Sequence, residues 1–92
     1  MEKLTSSERN TLRKMAHSLK PVVMVGKNGV TPELKAAVDS ALGDHELIKM
    51  KFIDFKEDRK ALTADIAEAA GAEVISVIGN TAILYRENEE DQ

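Results

Sequence analysis

The stretch from Pro21 to Pro32 constrains this chain more than any other part of it. Val22-Val23-Met24-Val25 is short, continuous and mostly β-branched, and it is bounded by Pro21 and Gly26, which reads as a buried strand. Gly26-Lys27-Asn28-Gly29 then leads to Thr31, a good N-cap, and to Pro32, which suits the first helical position. Leu34, Ala37, Val38, Ala41 and Leu42 form the apolar stripe of that helix, which Gly43 is expected to end. A second strand follows over Leu47–Ile53, where Ile48, Met50 and Phe52 alternate with Lys49 and Lys51. A strand, a helix and another strand in this order commit the chain to a sheet with a helical crossover.

The flanking segments extend the pattern. Thr5 and Glu8 make a capping-box signature, and Leu12, Met15, Ala16 and Leu19 recur at helical spacing, so a first helix is expected from about Ser6 to Leu19, closed by Pro21. Leu62, Ile66, Ala69 and Ala70 indicate a third helix from about Asp58 to Ala70, with Gly71 as its stop. Glu73–Ile78 and Thr81–Arg86 are β-rich runs separated by Gly79-Asn80, a hairpin signal of the primed type. The order α-β-α-β-α-β-β implies two right-handed crossovers and a closing hairpin. The expected class is α+β, a two-layer α/β arrangement on a four-stranded mixed sheet.

The glycine turn is also where chemistry is expected. Without a Cβ, Gly26 and Gly29 can take positive φ and let a bulky anion approach the backbone, while the helix behind them points free N–H groups at the same spot. Lys27 adds charge, with Asn28 beside it. Any strand-to-helix turn can use glycine simply to reverse direction, and Asn-Gly is a common turn dipeptide. The neighbours favour the anion. Arg9, Arg13, His17 and Lys20 fall within about 80° of one another at 100° per residue, a basic ridge beside the apolar stripe of the first helix. No acid separates Arg9 from Lys27. Lys49 and Lys51 project together from the second strand.

Charge is segregated along the chain. The whole chain has 92 residues and a formal net charge of −3, but residues 1–60 hold twelve Lys and Arg against nine Asp and Glu, and residues 61–92 hold one against seven. Four of those acids lie in residues 87–92, which contain no apolar residue and read as a solvated tail behind a domain spanning residues 1–86. Such a tail serves solubility, or alternatively competes for the basic face. A chain of this length forms one domain burying roughly 60 to 65% of its unfolded surface. The N-terminus lacks the apolar run of a signal peptide, so a soluble, cytoplasmic protein is expected, by default a monomer.

Several functions are disfavoured. There is no cysteine, hence no thiol chemistry, and His17 and His45 stand 28 residues apart without a compact carboxylate cluster, so neither metal nor cofactor is expected. No nucleophile, base and orienting acid occur at a recognisable spacing, and no Walker-type loop is present, so an enzyme is not expected.

Leu19-Lys20-Pro21-Val22-Val23 leading into Gly26-Lys27-Asn28-Gly29, then His45-Glu46-Leu47-Ile48-Lys49-Met50-Lys51, and finally Val77-Ile78-Gly79-Asn80 with Leu84-Tyr85-Arg86 resemble the CRM domain (chloroplast RNA splicing and ribosome maturation) in its small, stand-alone bacterial YhbY-like form. The resemblance covers residues 4–86. It implies a fold similar to the C-terminal domain of translation initiation factor three, with sheet order 1-2-4-3 and the last strand antiparallel to the others. It also implies RNA binding, linked in bacterial members to precursors of the large ribosomal subunit. The RNA-contacting positions implied are Gly26 to Gly29 with Arg9, Arg13, Lys20 and Lys27. The acidic balance departs from more basic relatives.

Only Phe52, Phe55 and Tyr85 are aromatic, and Phe52 reads as core, so base stacking on aromatic rings cannot dominate. Backbone and shape recognition remain, with the glycine turn holding phosphates and the basic ridge lining the approach. Specificity for one rRNA site then comes from RNA shape or from neighbouring ribosomal proteins or assembly factors. The rival reading is a protein-interaction adaptor, supported by the acidic net charge and by apolar residues on both faces of the final strands.

Overall fold

The computed structural model of the protein describes residues 4–53 and 58–88. Phe55 and the tail residues Glu89 to Gln92 lie outside the described residues. The elements are α1 (Ser6–Ala16), β1 (Val23–Val25), α2 (Pro32–His45), β2 (Leu47–Phe52), α3 (Arg59–Ala70), β3 (Glu73–Ile78) and β4 (Thr81–Tyr85). This is the α+β class and the element order that the sequence implies. The sheet order is β1-β2-β4-β3. β1 pairs parallel with β2, and β4 runs antiparallel to both β2 and β3.

Alternation decides which side chains meet which helices. Ile48, Met50 and Phe52 of β2 are buried with Val23 and Val25 of β1 and Ala82 and Leu84 of β4, against Leu34, Val38 and Leu42 of α2 and Ile66 and Ala67 of α3. The two-layer packing read from sequence describes this side. The opposite face carries a smaller cluster, in which Ala16 of α1 packs with Ile75 and Ile83, flanked by Leu12, Leu47 and Tyr85. β4 is therefore buried on both faces, Ala82, Ile83 and Leu84 all being core. The apolar character of that strand, which the adaptor reading used, is consumed by packing.

Several boundaries differ from expectation, each for a local reason. α1 has the capping box, with Glu8 N–H donating to Thr5 Oγ1 and Thr5 N–H to Glu8 Oε1, but it ends at Ala16 rather than Leu19. His17 N–H turns to Lys14 O and Leu19 N–H to Ala16 O, tightening the last turn ahead of Lys20, whose helical conformation Pro21 disfavours. Leu19 therefore falls past the helix and is exposed, and Met15, on the last turn of α1, is exposed as well, so neither joins the stripe.

β1 begins at Val23 and is buried on one face only, because it is an edge strand that α1 does not cover; Val22 and Met24 are 51% and 52% exposed. α2 runs through Gly43 to His45. The chain turns instead at Glu46, whose φ of 65° reverses it into β2, while Arg86 N–H and Asn88 N–H bond to the Glu46 carbonyl and carboxylate. α3 starts at Arg59, and its inner face is Thr63, Ile66 and Ala67, with Ala69 exposed. Gly71 ends it as the spacing implies, at φ 68°, with Ala72 N–H reaching back to Ala67 O. In the β3–β4 hairpin Gly79 carries the positive φ, and a bulge between Val74 and Ser76 places Ile75 beneath α1.

Candidate nucleic-acid interface

One end of the sheet collects the basic and glycine-rich features. Ile53 N–H donates to Val25 O and Phe52 N–H to Asn80 O, so the start of the glycine turn and the β3–β4 hairpin stand side by side at the carboxyl ends of β1 and β2. Within the turn, Gly29 N–H donates to Gly26 O at 3.1 Å, which leaves Lys27 and Asn28 at its tip, exposed and without a hydrogen bond among the described residues.

The two glycines have different reasons to be there. Gly29 has a φ of 71°, where a side chain is strained, whereas Gly26 has no positive φ. A Cβ on Gly26 would meet nothing within 4 Å, so no internal contact demands its absence. The helix behind the turn offers fewer donors than expected. Thr31 Oγ1 already accepts from Leu34 N–H, Pro32 has no N–H, and Glu33 brings a carboxylate into the first turn. The start of α2 therefore has less to offer an anion than the loop amides and Lys27 do.

α1 crosses the sheet from β3 to β2. At one end Arg9 donates to Glu73 Oε1 at 3.5 Å and to Val74 O, and at the other Lys49 Nζ reaches the His17 carbonyl at 3.5 Å. A helix is about 10 Å wide and a six-residue strand about 20 Å long, so one transverse helix covers half of the face. The uncovered half is the one beside the glycine turn. A groove of about 360 Å³ between helix and sheet there is lined by Arg13, His17, Lys49, Ile78, Thr81 and Ile83.

The candidate residues therefore separate into groups. Arg13, His17 and Lys49 share the groove, Lys51 stands in the adjoining exposed row of the sheet, and Gly26, Lys27, Asn28 and Gly29 form the turn at the same end. Arg9 is half-buried and tied to β3, away from this end. Lys20 lies on the connection after α1, exposed, rather than on a continuous helical ridge. Lys14, which the ridge reading passed over, joins Arg13 and His17 along one side of α1. Helical geometry sets Lys14 about 60° beyond the sector that holds Arg9, Arg13, His17 and Lys20, so its adjacency to Arg13 in sequence was the only signal.

The tail starts elsewhere. Asn88 Nδ2 donates to Leu42 O and Gly43 O at the end of α2, so the chain leaves the sheet at the end opposite the glycine turn. Among the described residues no group of three or more His, Asp or Glu could hold a metal ion, and no helix is long and apolar enough to cross a membrane.

Comparison with known proteins adds to this geometry. The model of the CRS1 / YhbY (CRM) domain matches residues 4–86. A Haemophilus influenzae protein named RNA-binding protein is 39% identical over 98% of this chain and 92% of its own length. A probable RNA-binding protein of Pseudomonas aeruginosa is 36% identical over 92% of this chain and 83% of its own. A hypothetical protein of Staphylococcus aureus with a known solution structure, 32% identical, superposes with a TM-score of 0.83 over 98% of this chain and 95% of its own.

Proposed function

This chain belongs to the CRS1 / YhbY (CRM) domain family, and we propose that it is a non-catalytic RNA-binding protein that grips structured rRNA by its backbone and acts in large ribosomal subunit assembly in the cytoplasm. The names of the Haemophilus and Pseudomonas relatives support the RNA ligand. The observation that carries the mechanism is the shared end of the sheet: the exposed Lys27-Asn28 tip, Arg13 and His17 of α1, and Lys49 and Lys51 of β2 all border it. Among the described residues no acid lines the groove.

The chemistry is electrostatic positioning. Loop amides and Lys27 hold a phosphate at the turn, and Arg13, Lys49 and Lys51 follow the backbone along the open half of the sheet. Phe52 is buried and Tyr85 packs beneath α1, so neither presents a free ring for stacking. Four to six phosphate contacts give a log–log salt slope of about −3 to −5.

The test is binding to large-subunit rRNA fragments across a salt series, with wild-type protein and with a Lys27→Ala, Arg13→Ala double variant. The expected result is a loss of about 1 to 3 kcal/mol and a slope shallower by about 2 in the variant. Equal binding by both proteins, or a flat salt response of the wild type, removes the proposed interface.

A further inference from the structure

The open half of the sheet is not only basic. Strand pairing sets Met24 opposite Lys51, Lys51 opposite Thr81, and Thr81 opposite Ile78, a single row that crosses all four strands. Its two ends are apolar and exposed, Met24 by 52% and Ile78 by 64%. Three strand spacings separate them, about 14 Å. Val22 and Ile53, 51% and 60% exposed, lie at the β1–β2 edge of the same region. The largest exposed aliphatic side chains of the described sheet thus gather where the cations do, next to the glycine turn.

We propose that this row is a docking surface for unpaired nucleotides of the bound RNA, with bases resting on Met24 and Ile78 while their phosphates meet Lys51, Lys49 and Arg13. The inference rests on the RNA-binding reading and adds the class of RNA: a backbone-gripped duplex with an adjoining bulge, loop or single-stranded end.

Charge complementarity selects this occupant. An apolar protein face laid on the row would desolvate the ammonium of Lys51, and among the described residues the groove supplies no acid to neutralise it. A paired duplex satisfies the cations but keeps its base faces stacked inside, and its deep, narrow major groove denies side chains access to the edges. Unpaired nucleotides alone present anionic oxygens and apolar faces alternately at short range, which is the alternation Met24, Lys51, Thr81, Ile78. Thr81 contributes a hydroxyl at the centre of the row, able to donate or accept at a base edge or a 2′-hydroxyl.

The experiment compares two rRNA-derived hairpins of equal length and charge, one fully paired and one with a three-nucleotide bulge, binding to wild type, to Met24→Thr with Ile78→Thr, and to Lys27→Ala. Both threonine substitutions are on exposed strand positions and keep β-propensity, and thermal unfolding verifies that the fold is retained. The expected result is that wild type prefers the bulged hairpin and that the threonine variant loses about tenfold on that hairpin alone, from the apolar area no longer covered. Its salt slope stays unchanged, since no cation is removed. Lys27→Ala weakens both hairpins. If the threonine variant binds both RNAs as wild type does, the docking surface is wrong while the backbone grip survives. If it keeps RNA binding but loses a ribosomal protein partner, the row is a protein interface and the inference is overturned. If wild type binds neither hairpin in a salt-dependent way, the RNA-binding reading itself has failed.

Discussion

The ammonium of Lys49 lies 3.5 Å from the carbonyl oxygen of His17 and donates to it, which ties the middle of β2 to the residue that ends α1. The lysine sits where the helix leaves its last carbonyls unpaired and where its dipole is negative, so it fixes the helix end and adds charge to the groove at once. Lys49→Ala is expected to weaken RNA binding and make the salt slope shallower by about 1, with a stability change within about 0.5 kcal/mol. Lys35→Ala, an exposed lysine on α2 across the sheet, is the control and leaves the slope alone. Equal effects of the two would reduce the groove to one more charged surface.

The glycine turn separates folding from binding at two positions three residues apart. Gly29→Ala forces a Cβ into φ 71° and costs roughly 1 kcal/mol. Gly26→Ala meets open space and no positive φ, so its stability stays level or rises by about 0.4 to 1 kcal/mol through the unfolded chain. RNA affinity is expected to fall in Gly26→Ala nonetheless, since the added methyl stands where the backbone would approach a phosphate. Urea unfolding and a binding titration on the same samples decide it. Unimpaired binding by Gly26→Ala would mean that the RNA does not come close to this backbone.

Arg9 and Arg13 look alike in sequence and differ in the fold. Arg9 reaches Glu73 and Val74 O, and its side chain is 32% exposed, while among the described residues the side chain of Arg13 bonds to Asn10 alone, one turn back on its own helix, and borders the groove. Arg9→Ala is expected to destabilise the protein by about 1 kcal/mol through the lost carbonyl bond and packing, the half-exposed ion pair adding little. Arg13→Ala is expected to do the reverse, sparing stability and weakening RNA binding. An Arg9 variant that binds poorly but unfolds normally would place RNA over β3 as well.

The contrast also marks how far the sequence could be read. The order of elements, the strand alternation of β2, the Thr5 and Thr31 caps and the Gly79-Asn80 hairpin were legible because each is decided by neighbours within a few residues. What was not legible depended on tertiary coverage. A continuous apolar run such as Val22 to Val25 does not say that β1 is an edge strand or that α1 spans only half of the opposite face. Helical geometry put Lys20 on a ridge that the turn before Pro21 removes. The periodicity around α1 could not assign Arg9 to Glu73, sixty-four residues away. Gly43 looked like a helix stop, but the chain reverses only at Glu46, held by Arg86 and Asn88.

Tyr85 offers a readout of α1 docking. Burial beneath the helix, and then the charges of Glu46, Glu87 and Glu8, raise its phenol above the ordinary value of 10.0. The fold therefore favours the neutral phenol: this stability is fully present below the unfolded value and is lost as pH rises through the folded midpoint. As Tyr85 is the sole tyrosine and there is no tryptophan, ultraviolet titration of the native protein reports on this group alone. A midpoint above 10.0 is expected, returning toward it in Leu12→Ala, which loosens the cluster holding the ring. A native midpoint at or below 10.0 would show that α1 does not cover the ring.

Arg86 closes the other layer. Its guanidinium donates to Asp39 Oδ1 at 2.6 Å, to Ala70 O at 2.9 Å and to Asp39 O at 3.1 Å, so one side chain satisfies carbonyls of both α2 and α3 from the end of β4. The arginine side chain is 20% exposed and the aspartate 66%. Solvent screens the carboxylate, so the carbonyl bonds and the buried stem matter more than the ion pair. Asp39→Ala is expected to cost under about 1 kcal/mol and Arg86→Ala about 2 to 3 kcal/mol, because the Ala70 carbonyl at the end of α3 loses its partner. Arg86→Lys recovers only part of this, since an ammonium cannot fork across two helices. Urea unfolding of the three variants tests the ordering. An Asp39→Ala cost matching that of Arg86→Ala would mean that the ion pair, not the pair of carbonyl bonds, holds α2 and α3 together.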